Sequence, residues 1–203
     1  MSRVIAYIDG FNLYFGLRAS GWKDVLWLNL QQLARHLLKR GQHLAYTKYF
    51  TARVAEPQHK RKRQQVYLEA LETLPDFRIF YGKYQLNPRI CPRCRYQDRV
   101  PNEKMTDVNI AVELLADAFQ DMFDTALVIS ADSDLRGAVE TVRKLFPDKR
   151  VVMAFPPNRS SKELQAVASA YFTIGRAMCK RSVFPDCLTK SNGYVLHRPA
   201  EWR

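Results

Sequence analysis

Val4 to Ile8 is an unbroken run of β-favouring apolar residues closed at once by Asp9-Gly10, the pattern of a buried strand followed by a turn. Leu13 to Leu17 then turns helical. Leu30, Leu33, Ala34, Leu37 and Leu38 recur at helical spacing until Gly41 stops them. Tyr46–Phe50 predicts a strand, Gln58–Leu74 a helix ended by Pro75, and Phe77–Tyr81 a further strand closed by Gly82. Residues 87–102, rich in Pro, Arg and Cys, show no period and are expected to form a loop. Thr106–Gln120 predicts a long helix, Thr125–Ser130 a strand, Leu135–Leu145 a helix and Arg150–Phe155 a strand. Ser160 with Glu163 fits a capping box that opens a last helix through Ala170. No internal repeat is visible, and periodicity fades from Met178. One domain over residues 1–176 with an insert at about 87–102, followed by a packed or flexible tail over 177–203, is the expected organisation. Strands alternating with helices imply an α/β/α sandwich, a mainly parallel sheet covered on both faces. In such sheets ligands gather beyond the carboxyl ends of the strands.

Composition narrows the class. The 203 residues are 47% hydrophobic and 26% charged, as expected of a globular chain able to bury a core without staples. No apolar run approaches the roughly 18 residues that span a bilayer. An acid at position 9 does not suit a signal peptide, and four cysteines do not make a disulfide framework. A cytoplasmic setting is expected. The net charge is +12, unevenly spread. Nine Lys/Arg stand against one acid from Val25 to Leu68, seven against two from Arg78 to Lys104, and eight acids against one base from Met105 to Glu140. A basic body around an acidic block suits a polyanion approaching a carboxylate-bound cation, although a charge run also serves as a solvated face.

The acids fall where strands end. Asp9 follows the first strand, and Asp132 and Asp134 follow Ala126–Ser130. Asp107 lies in the first turn of the 106–120 helix, over Ile110, Ala111 and Leu114, on the stripe that faces the core. An ionised carboxylate there needs a partner; Thr106 capping and the helix N-terminus could supply one. Four carboxylates converging from three segments could not all ionise without a cation, and an all-oxygen site suits Mg²⁺ or Mn²⁺ over Zn²⁺.

Asp9-Gly10-Phe11-Asn12, Lys104-Met105-Thr106-Asp107-Val108 and Ser130-Ala131-Asp132-Ser133-Asp134-Leu135, in that order, resemble the NYN domain family of the PIN-like nuclease superfamily, in particular its LabA-type bacterial branch. The resemblance covers roughly residues 3–175. It implies a PIN-like, Rossmann-like α/β/α fold and a metal-dependent ribonuclease centre in which Asp9, Asp107, Asp132 and Asp134 hold the metal, Asn12 stands alongside and Ser130 orients the cluster. It also implies that a homodimer could extend the basic groove. Met105 and Ala131 depart from the family's usual glycines. Glu113 stands where the family often has Asp, but it shares a face with Asn109, Asp117 and Gln120 that is expected to be solvated, so it is left outside the cluster.

The expected activity is therefore in-line cleavage of an RNA phosphodiester by an endoribonuclease. The alternative is a catalytically weak RNA-binding or regulatory adaptor of the same fold, and DNA cleavage is a third option. Asn12 either positions water or phosphate, or caps the helix at Leu13. Lys104 is placed to meet a phosphate. Lys60, Arg61, Lys62 and Arg63 cover all sides of a helix start, where the dipole disfavours cations, so not all can meet one strand. Tyr14 and Phe15 suit base stacking or core packing. The chain lacks Asp-x-Asp after the first strand, a Gly-x-Gly-x-x-Gly and a Walker loop, so no nucleotide cofactor is expected. Cys91 and Cys94 form half a zinc ribbon. With Cys179 and Cys187 far away, a reduced surface loop is expected in place of zinc.

Overall fold

The computed structural model describes residues 1–90 and 92–203, the side chains of 84–90 and 98–103 apart. Six parallel strands form the central sheet: β1 (Ser2–Asp9), β2 (Gln42–Thr51), β3 (Phe77–Tyr81), β6 (Thr125–Ile129), β7 (Arg150–Phe155) and β8 (Ala170–Thr173). Their spatial order is β3-β2-β1-β6-β7-β8. The chain builds outward from β1 in one direction, then returns to pair β6 on its other side. The β1/β6 boundary is thus the topological switch point, where an open parallel sheet leaves a crevice at its carboxyl end. The register pairs Ile8 with Ile129, so Asp9 and Ser130 leave the sheet side by side.

The two-residue period of β1 divides the core. Val4, Ala6 and Ile8 face one layer, built from α1 (Gly10–Ala19), α2 (Leu30–His36) and α3 (Gln58–Leu71). Ile5 and Tyr7 face the other, built from α4 (Thr106–Phe119), α5 (Arg136–Leu145) and α6 (Lys162–Val167). Asp9 continues the parity of Ile5 and Tyr7, which directs it to the side of α4.

Several local expectations are corrected. The stretch around 87–102 is not a loop: β4 (Lys83–Ile90) and β5 (Gln97–Lys104) pair antiparallel as a hairpin. Its sequence shows no apolar period. The last-helix cap is Ser161, whose Oγ accepts from Leu164 N at 3.2 Å and donates to Glu163 at 2.9 Å. That helix ends at Val167, and the following residues form the edge strand β8. Residues 177–203 are packed. They contain most of α7 (Arg176–Arg181), the hairpin β9 (Cys187–Thr189) with β10 (Val195–His197), and a 3-10 turn at Ala200–Trp202. Trp202, 5% exposed, closes a ring cluster with Trp27 and Tyr67. Trp27 Nε1 donates to the Pro185 carbonyl at 2.9 Å. Among the described residues no helix is long and apolar enough to cross a membrane.

Candidate active site

The switch point is built by short hydrogen bonds between segments far apart in sequence. Asp9 is 4% exposed and is the N-cap of α1: its Oδ1 accepts from Asn12 N at 2.9 Å. The helix therefore starts at Gly10, and the cap is Asp9 rather than Asn12. Asp9 Oδ2 accepts from Ser130 Oγ at 2.8 Å, and Ser130 Oγ in turn accepts from Asp132 N at 3.1 Å. Asn12 Oδ1 accepts from Ala131 N at 3.1 Å, and Asp132 Oδ1 accepts from Asp134 N at 3.0 Å, capping the 3-10 turn Ser133–Leu135. The end of β1 and the loop after β6 thus form one polar lattice. Gly10 is required by close approach: a Cβ there would lie 2.6 Å from the Tyr49 hydroxyl and 2.8 Å from the Phe50 carbonyl.

Asp107 enters from the first turn of α4, whose Ile110 and Leu114 are buried as its wheel predicts. No side-chain cap opens that helix. Its N-cap is Met105 in the left-handed region at φ 78°, a conformation glycine adopts without strain. Burial, followed by the charges of Asp132, Asp9 and Asp134, pushes the Asp107 carboxyl up to about 6. Burial likewise raises Asp9, against the hydrogen bonds from Asn12 and Ser130 and the positive charge of Arg159 that lower it. Asp132, Asp9 and Asp134 are thus each within electrostatic reach of Asp107, with Asp9 buried, Asp107 and Asp132 half-buried and Asp134 exposed. Among the described residues no three His, Cys, Asp or Glu side chains stand close enough together to hold a metal ion as they are placed. The candidate donor set is all carboxylate oxygen, and the charges of Asp132, Asp9 and Asp134 add to burial in raising Asp107. Both fit a hard divalent cation.

The remaining candidates divide. Lys104 is exposed at the end of β5, just before α4. Lys60 and Arg63, at the start of α3, line a cavity beside Gly10 and Phe11; Arg61 and Lys62 do not. Phe15 is 44% exposed, and Tyr14 packs edge-on against it. Cys91 lies outside the described residues, so the Cys91–Cys94 pair is not described; Cys94 is exposed.

The acidic face of α4 is not solvated as expected. Lys48 Nζ lies 2.6 Å from Glu113 and 2.7 Å from Asp117, and Tyr7 donates to Asp117 at 2.5 Å. Asp117 is buried at 6% exposure because the sheet supplies a cation and a phenol to receive it. Burial, then Asp117 and Glu113, hold the Tyr7 hydroxyl well above its ordinary value. The exposed face of α4 is instead apolar, with Val108, Val112 and Phe119 continuing Met105 toward Met122. Sequence reasoning missed Lys48 and Arg159. The available signal for Lys48 was a lone cation inside the aromatic run of β2.

The model of the NYN domain matches residues 3–175. The chain belongs to the NYN domain family. NYN domains have a PIN-like, nuclease-type fold, and members of the family are typically nucleases. Among curated proteins, 6-hydroxy-3-succinoylpyridine 3-monooxygenase HspA of Pseudomonas putida is 30% identical over 195 residues, 79% of this chain. The chain spans 61% of that relative's length. Among solved structures, a protein of unknown function from Vibrio parahaemolyticus superposes with a TM-score of 0.56 at 15% identity, covering 86% of this chain and 94% of that one. That likeness shows the fold alone.

Proposed function

We propose that this NYN protein is a metal-dependent endoribonuclease whose acidic cluster, Asp9, Asp107, Asp132 and Asp134, holds Mg²⁺ or Mn²⁺. The observation that carries the reading is that Asp107, at the switch point of a basic protein, is pushed up by burial and then by the charges of Asp132, Asp9 and Asp134. A pure RNA binder gains nothing from negative charge facing a polyanion. When bound, the cation supplies charge neutralisation at the phosphate and a more acidic water. Asp9 is aimed by Ser130 and Asn12 N, so it needs little reorganisation to serve as a ligand. The Asn12 Oδ1 is engaged by Ala131, leaving its amide N–H group to donate to water or phosphate. Lys104 meets the phosphate backbone from the mouth of the site. A homodimer, if formed, would use the exposed apolar face of α4.

The test is labelled single-stranded RNA, with DNA beside it, incubated in Mn²⁺, Mg²⁺ or EDTA with the purified chain and with Asp132→Asn. Cleavage of RNA in Mn²⁺ that is lost in EDTA and in Asp132→Asn, with RNA binding retained or tightened, is the expected result. Equal cleavage by both proteins would refute the assignment. RNA binding without any cleavage would instead select the adaptor reading. A second reading, a small aromatic substrate as in the relative's name, is favoured by one observation: the apolar cavity that opens beside Phe11.

A further inference from the structure

Between α1, the carboxyl end of β2, α3 and the terminal turn at Ala200–Trp202 lies a cavity of about 600 Å³. Close-packed interiors leave few voids larger than a water molecule, whereas ligand sites commonly measure about 300–1,000 Å³. Its lining is predominantly apolar, and four of its rings, Phe11, Tyr14, Tyr67 and Trp202, come from three separate parts of the chain. Tyr67 and Trp202 are fixed edge-to-face at 5.5 Å, and Tyr67 donates to the Leu28 carbonyl at 2.8 Å, so this wall is rigid. Three cations share the lining with one acid, the exposed Glu56. Arg18 lies over the Tyr14 ring at 5.7 Å. Arg63 lies over Trp202 at 5.7 Å and pairs with Glu201 at 3.2 Å. Lys60 has no carboxylate partner among the described residues, although it stands in the first turn of α3, where the helix dipole disfavours a cation.

We infer that this cavity binds a planar aromatic ring carrying an acidic group, with the ring against Tyr14, Tyr67 and Trp202 and the anion at Lys60. Aromatic walls select a ring, which stacks on one side chain and meets its perpendicular neighbour edge-on, largely independently of its substituents. The Lys60 ammonium, without a carboxylate partner among the described residues, selects a negative charge. A neutral hydrocarbon would fill the apolar part and leave Lys60 unanswered. The inference rests on neither reading of the acidic cluster. The shared chemistry has two sources, a nucleotide of an RNA chain entering beside Phe11 or a free aromatic acid.

Isothermal titration of the full chain tests it with four probes: AMP, its neutral counterpart adenosine, 3-benzoylpropionate, and neutral acetophenone. The expected result is that at least one acid binds more tightly than about 1 mM. Lys60→Gln then weakens that acid about tenfold and leaves its neutral counterpart unchanged, while Tyr14→Ala weakens both. Binding of AMP alone assigns the site to a nucleotide, and binding of benzoylpropionate alone assigns it to a free acid; either result supports the site. Failure of both acids to bind, or binding that ignores both substitutions, overturns it. Manganese-dependent RNA cleavage measured on the same preparations keeps that failure separate from failure of the nuclease reading.

Discussion

Asp107→Asn is expected to stabilise the metal-free protein, against the usual result for replacing a half-buried side chain. Folding raises this carboxyl from 3.8 to about 6, through burial first and through Asp132, Asp9 and Asp134 next. Between those pH values the folded chain holds a proton that the unfolded chain has already lost, so stability falls as pH rises through this window. Above it both states are ionised and the whole cost persists. The displacement corresponds to about 3 kcal/mol for a fully desolvated group. Asp107 is only half-buried, and solvent screening reduces the figure to about 1–2 kcal/mol. Asparagine keeps the shape and removes the repulsion, at the loss of a favourable helix N-terminal charge of about 0.3–1 kcal/mol.

Urea unfolding in EDTA reads the result. At pH 7.5 the variant should be more stable by about 1 kcal/mol, or about 2–4 °C in melting temperature. The difference should shrink toward zero near pH 4, where Asp107 is protonated in the folded wild type. Saturating Mn²⁺ should reverse the order, because the cation stabilises only the protein that binds it, by about 2.7 kcal/mol at a hundredfold excess over Kd. A destabilised variant at pH 7.5, or a gain that does not change with pH, would show that burial and the neighbouring acids do not hold Asp107 above its ordinary value and would remove the basis of the cluster.

Three further outcomes are expected. Lys48→Met leaves Glu113 and Asp117 facing each other without a cation and should cost about 3–5 kcal/mol in chemical unfolding, most of it recovered when both acids are also neutralised to Gln and Asn. Met105→Gly relieves a left-handed non-glycine residue at φ 78° and should add about 1 kcal/mol to stability by the same measurement. If the chain dimerises through α4, Phe119→Glu, at a residue 82% exposed, should convert it to a monomer in sedimentation velocity without lowering its melting temperature.

Five of the six sheet strands were readable because a parallel strand is apolar on both faces and stops abruptly, as Val4–Ile8 does before Asp9-Gly10 and Ala126–Ser130 before Asp132; the short edge strand β8 was read as helix through Ala170. The same abruptness marked the acids, since a strand end in this topology is also a crevice. What failed was anything decided across the sheet. The Glu113/Asp117 face looks solvated on a helical wheel, and only the register of β2 places Lys48 beneath it. The hairpin β4/β5 was unreadable because its sequence carries no apolar period. The tail was unreadable because Trp202 and Leu196 find Tyr67 and Trp27 by tertiary contact, without a local period.

These long-range contacts also explain how like charges stay close. Asp9 cannot retreat, because one oxygen caps α1 and the other is tied to Ser130, so moving it would break a helix end and a strand end together. Asp132 is held by the same Ser130 through its own amide. Asp107 has no side-chain hydrogen bond to another segment among the described residues, and its position follows from that of α4. The helix is held to the sheet by Ile110 and Leu114 on one side and by Lys48 gripping Glu113 and Asp117 on the other. The repulsion at the switch point is therefore resisted by contacts one to three turns along the helix, among them a separate group of one cation and two carboxylates. Weakening that distant grip should let Asp107 swing out and its carboxyl fall back toward its ordinary value, so that NMR titration of Asp107 in Lys48→Met reports whether the grip and the site are mechanically linked.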